Sequence, residues 1–209
     1  AMAGLSFSIA SKSELSPEVA EELARVAAAG RTARYQERLA SAAEALDRGR
    51  FADARRMVQP VVRDLPDMAF GHEIAGLASY RLGQWRKAAA ELETARLLDA
   101  TVNHHPVLAD CYRAMRRYHE VDVLWRELRE ASPAPALLAE GRIVAAGALA
   151  DQGDLQGALT VMAKAFDVPK KPRDYHLRQW YVLADLLDRS GDVIKARRYF
   201  SLVAEADRE

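Results

Sequence analysis

His104 and His105 stand side by side in this 209-residue chain, with Cys111 and His119 a little downstream, and together they could suggest a metal site. Adjacent residues on a helix project about 100° apart. No two of these four side chains are at i and i+4, and zinc motifs need tighter spacing. The two histidines are therefore read as a turn leading into a helix that begins at Pro106, and no metal or other cofactor is expected. Cys111 has no base placed for it and reads as a small buried apolar residue. Asp185, Asp188 and Asp192 are strung along one helix and its turn, with nothing to mark an acid/base pair. Lys170, Lys171 and Arg173 form a small basic loop, read as solvated. No glycine-rich stretch follows a predicted strand, so no nucleotide cradle is present. The residues that could do chemistry do not combine to do any, and the chain is read as a protein that is not an enzyme.

Composition narrows the class further. The chain carries 30 basic and 30 acidic side chains. That balance argues against a nucleic-acid or membrane-surface binder, which normally carries a basic excess. Half of the residues, 50%, are hydrophobic, enough for a packed core. The single cysteine rules out an internal disulfide and suits a reducing cytoplasm. No run approaches the length of a membrane span, and the start lacks the pattern of a signal peptide. Ala1 before Met2 reads as an expression-tag remnant. The preference for Arg over Lys and the abundance of Ala point to a high-GC bacterial source.

The elements behind these residues are helices throughout. Residues 1–15 are expected to be a flexible tail. Ser16-Pro17-Glu18 carries an N-cap, a first-turn proline and an acid at the positive helix end, which predicts a leading helix over 17–29. Small residues and a turn glycine then recur. Gly49 and Gly83 lie 34 residues apart, and so do Ala54 and Ala88. Ala158 and Ala196 continue the series, with the extra residues in two proline-rich loops, 132–135 and 167–173. Between them Arg116 stands where glycine is expected and Val121 where alanine is expected. This gives five helical hairpins, at about 35–68, 69–101, 102–135, 139–172 and 177–209, within one domain spanning 16–209. Phe51, Trp85, Trp125 and Phe200 are expected to fill the space between successive hairpins.

The last hairpin states the pattern most fully. Trp180, Leu183, Ala184 and Leu187 fall on one helical face, Gly191 breaks the helix, and Ala196 and Phe200 follow one turn apart. This resembles the W-x2-L-G-x2-Y…A-x3-F signature of the tetratricopeptide repeat, with Ala184 for the glycine and Leu187 for the tyrosine. The resemblance implies an all-α fold, a right-handed α-α superhelix of five helix-turn-helix repeats behind a leading helix. It implies a scaffold or adaptor that binds a peptide or helix of another protein in a concave groove lined by the first helix of each repeat.

By that register the groove carries Gln36, Leu39 and Ala43; Phe70, Glu73, Leu77 and Tyr80; Asn103, Pro106, Asp110 and Arg113; Glu140, Ile143 and Gly147; and Arg178, Tyr181 and Asp185. Family members that grip a chaperone's C-terminal carboxylate use Lys and Asn on three successive first helices, and that clamp is missing here. Two alternatives stand beside the scaffold. One is a regulatory fragment of a larger enzyme or transcription regulator, because no polar capping helix follows the fifth repeat. The other is an RNA-reading helical repeat, disfavoured by the zero net charge. Phe200, Leu202 and Val203 on the last helix also point to weak self-association through the C-terminal repeat, with Arg197, Arg198, Glu205 and Arg208 as partial polar cover.

Overall fold

From residue 15 to residue 206 the computed structural model describes eleven α-helices, and no strand occurs among those residues. All but the last residue of the expected tail, and Arg208, lie outside the described residues. The chain divides into two compact units, Ala1–Met115 and Arg116–Glu209. The first holds α1 (Pro17–Val26), α2 (Thr32–Asp47), α3 (Phe51–Asp64), α4 (Ala69–Arg81), α5 (Trp85–Leu98) and α6 (His105–Ala114). The second holds α7 (Tyr118–Ala131), α8 (Pro135–Asp151), α9 (Leu155–Val161), α10 (Asp174–Arg189) and α11 (Val193–Ala206).

Short turns set the pattern of packing, because they force consecutive helices back against each other. In the first unit α2 packs on α3, α3 on α4, α4 on α5 and α5 on α6, while α4 also touches α2 and α6. In the second, α8 packs on α7, α9 and α10, and α10 packs on α11. Each unit is thus a row of stacked helical hairpins, the layout of a helical repeat.

The turns themselves explain the sequence spacing. Gly49, Gly83, Gly153 and Gly191 have φ of 73°, 70°, 87° and 90°, in the left-handed region that glycine enters without steric cost. Arg116, where glycine is missing, still has φ of 59°. A side chain there costs about 1 kcal/mol. The small residues behind each turn are equally consistent: Ala54, Ala88, Val121 and Ala158 are 0% exposed and Ala196 is 1% exposed. Gly76 is thin for a related reason, since a Cβ there would lie 2.6 Å from Leu92 Cγ and 3.2 Å from the Leu92 backbone nitrogen.

Three features depart from the sequence reading. The leading helix ends at Val26 rather than residue 29, because Ala27 turns extended as its N–H closes on the Leu23 carbonyl, and a 3-10 turn follows at Ala29–Arg31. The second helix of the fourth hairpin stops at Val161 and tightens into a 3-10 turn, Met162–Phe166. Its last carbonyl, on Phe166, accepts the Tyr199 hydroxyl at 2.9 Å, and the two rings meet edge to face. Finally, the four aromatic residues expected between hairpins are not the deep fillers. Phe51, Trp85 and Trp125 are half-buried and Phe200 is exposed, whereas the aliphatic Val58, Leu92 and Met162 are sealed.

The leading helix is tied in through two neighbouring residues. Leu23 is buried. Beside it, the Glu22 carboxylate accepts the Ala69 N–H at the start of α4, where an acid is favoured by the free amides and the helix dipole.

Candidate functional site

In the first unit the polar residues of α4 reach towards α6. The Tyr80 hydroxyl donates to Asp110 Oδ2 at 2.7 Å, and its ring packs edge-on against Trp85. Asp110 in turn lies 3.6 Å from Arg113, one turn along α6. Glu73, two turns before Tyr80 on the same face of α4, meets His104 Nε2 at 3.1 Å. Four of the expected groove residues in this unit are therefore gathered into one polar strip.

Burial, then the adjacent Asp110 carboxylate, push the Tyr80 hydroxyl above the usual phenol range, so it stays a protonated donor. The same two causes push the neighbouring Cys111 thiol up to about 12. A thiol held there is not a nucleophile at neutral pH.

The second unit repeats the device with stronger charges. Arg178 on α10 pairs with Glu140 on α8 at 2.5 Å, and Arg142 Nη1 donates to Gln179 Oε1 at 2.6 Å. Farther along, Arg189 Nη2 donates to the Ala150 carbonyl at 3.3 Å. Burial raises the Glu140 carboxyl, and the Arg178 charge opposes that rise. Burial also lowers the Arg142 guanidinium, which still keeps its charge at neutral pH because its ordinary value is so high. Each pair thus holds charge inside the wall between two first helices, where removing one partner would strand the other.

The remaining candidates fall elsewhere. Gln36 and Asn103 are exposed, and the Asn103 backbone N–H donates to Thr101 Oγ1. Phe70, Leu39, Ala43, Leu77, Pro106, Ile143 and Gly147 are buried, so they pack the hairpins rather than present a surface. Tyr181 and Asp185 lie on the exposed side of α10, where Asp185 is 3.5 Å from Arg189 and Tyr181 meets Phe200 edge to face.

His104, Arg142 and Gln179 belong to these strips and the sequence reading did not place them there. Arg142 carried a signal. Between its first proline and its last aspartate, α8 has only two ionisable residues, Glu140 and Arg142, in an alanine-rich run that is otherwise apolar or glycine. A lone charge in such a helix must have a partner.

A separate polar cluster sits on the other side of α4. His72 is 7% exposed, with Nδ1 2.7 Å from Glu91 Oε2 and Nε2 2.9 Å from the Pro66 carbonyl. Among the described residues no group of three or more His, Cys, Asp or Glu is placed to hold a metal ion, and no helix is long and apolar enough to cross a membrane. No protein-family model matches the chain, and no curated protein matches it either.

Proposed function

We propose that the chain is a tetratricopeptide-type scaffold, a right-handed superhelical array over residues 16–209 that binds a peptide or helix of another protein in the cytoplasm without converting it. The recurrence of left-handed turns from Gly49 to Gly191, at the spacing of the small buried residues, supports that repeat class. The observation that carries the binding reading is the pair of polar strips, Glu73–His104 with Tyr80–Asp110 and Glu140–Arg178 with Arg142–Gln179. They hold the half-buried Glu73, Tyr80, His104, Asp110, Arg142 and Arg178 in place on or beside successive first helices, with Glu140 and Gln179 buried behind them, so a partner meets polar groups already oriented, at little ordering cost.

Affinity capture from the source cell, read by mass spectrometry, tests this reading. A partner recovered by the wild type and by Arg126→Glu on the exposed side of α7 should be lost with Asp110→Asn combined with Arg113→Gln. Equal recovery by both variants would remove the strip as the binding surface.

A further inference from the structure

In three of the hairpins the residue four positions after the small one is sealed in the seam with the following helix. Val58, Leu92 and Met162 hold that place after Ala54, Ala88 and Ala158, and all three are 0% exposed. Each is sealed where a following helix lies on the hairpin: α4 on α3, α6 on α5, α10 on α9 and its 3-10 extension. Trp125, four after Val121, is half-buried and lies against α8, whose Gly141 would set a Cβ 3.3 Å from the indole ring. Phe200, four after Ala196, is the exception at 37% exposed. Among the described residues no helix lies over it.

The open seat is larger than one ring. Tyr181 is 59% exposed, Val193 43% and Ile194 85%, so half of the eight large apolar side chains that stay exposed among the described residues belong to the α10–α11 hairpin. On α11, Val193, Arg197, Phe200 and Ala204 fall at i, i+4, i+7 and i+11 and form one exposed stripe. On α10, Tyr181, Asp185 and Asp188 fall at i, i+4 and i+7 and form another. Tyr181 and Phe200 join the two stripes, their ring centroids 5.7 Å apart. The face is therefore an apolar centre with the carboxylates of Asp185 and Asp188 on the α10 side, Asp185 also 3.5 Å from Arg189 of its own helix, and the Arg197 guanidinium on the α11 side.

We propose that a second copy of this chain docks here, hairpin on hairpin about a two-fold axis. The charge pattern is self-complementary, which fits that occupant. A partner helix of one sign would leave either Asp185 and Asp188 or Arg197 against like charge, which costs affinity. A two-fold sets Arg197 of each copy against Asp185 and Asp188 of the other, while Tyr181, Val193 and Phe200 of both copies cover one another. An isologous interface must be self-complementary in this way. The inference concerns the end of the α10–α11 hairpin and does not rest on the polar strips.

Sedimentation of the 209-residue chain over a hundredfold concentration range tests it. The wild-type mass should rise from one copy towards two. Asp185→Lys with Asp188→Lys in one variant, and Arg197→Glu in another, should each weaken association by at least about tenfold, because lysines then face arginine or aspartates face glutamate. All three positions are exposed, and unchanged circular dichroism melts would show that the fold survives. An equal mixture of the two variants should recover association, since the new lysines of one meet the new glutamate of the other. A wild type that stays monomeric throughout, a dimer that persists unchanged in both variants, or a mixture that stays monomeric would each overturn the proposal.

Discussion

The α4–α5 and α10–α11 hairpins are written on the same register, yet they differ in what surrounds them. In the first unit α4 touches α2, α3, α5 and α6, and its residues from Ala69 to Ser79 are buried except Glu73. In the second, α10 packs on α8, α9, the 3-10 turn and α11, and keeps a stripe of exposed residues. The sequence answers the difference position by position. Where α4 has buried Leu77, α10 has exposed Asp185; where α5 has sealed Leu92, α11 has exposed Phe200. A helix covered on every side must be thin and apolar, whereas one with an open side tolerates larger and charged residues there.

Truncating the seam residue in each hairpin sharpens this contrast most. Leu92→Ala removes a fully buried side chain between α4, α5 and α6 and should cost about 2–5 kcal/mol. Phe200→Ala, at the open seat, should cost about 1 kcal/mol or less in the monomer, because part of its surface is already in water. Chemical denaturation of both variants checks the order. Equal losses would mean that the two seats are covered alike.

A smaller effect is expected from overpacking. Gly76→Ala places a methyl against Leu92 Cγ and backbone, and Ala88→Leu forces a branched side chain into a 0% exposed site. Each should cost about 1–3 kcal/mol, seen as a lowered midpoint in thermal unfolding. An unchanged midpoint for Ala88→Leu would break the register on which the comparison rests.

The turns separate the two units at about 1 kcal/mol. Gly83→Ala should destabilise by about that amount, because alanine must hold a φ of 70°. Arg116→Gly should stabilise by about 0.5–1 kcal/mol, since it relieves a φ of 59° and gives part of that gain back as unfolded-state entropy. Melting curves of the two single variants give both signs.

The smallest expected effect is a pH slope confined to the first unit. Both ring nitrogens of His72 face acceptors, Glu91 first and then the Pro66 carbonyl, which together outweigh burial and hold its pKa above the usual 6.5. A raised native pKa means that the stabilisation is full below the unfolded value near 6.5 and is lost as pH climbs through the native one. Melts above pH 6.5 should therefore fall with rising pH in the wild type and flatten in His72→Gln. An unchanged slope in that variant would assign it to another group.

Much of this architecture is legible in the sequence. The spacing of Gly49 and Gly83 and the helix break at Gly191 marked turns, because few residues other than glycine enter the left-handed region cheaply. The same spacing located Arg116, whose backbone follows the pattern although its side chain does not suit it. Helix type, small crossing residues and the proline-rich loops follow from local chemistry of this kind, which depends only on near neighbours in sequence.

Partner choice among polar side chains could not be read that way. Tyr80 lies 30 residues from Asp110, and Arg142 lies 37 residues from Gln179. Only the stacking of one hairpin on the next decides that each pair meets. Phe70 and Glu140 were assigned to a groove by register and proved to be buried, because exposure depends on which helices pack alongside. Phe200 matches the family signature as well as any residue here, yet the sequence alone could not tell an open seat from a sealed one. Turn geometry is set by steric clashes within a few bonds, whereas burial and pairing are set by surfaces that folding brings from distant parts of the chain.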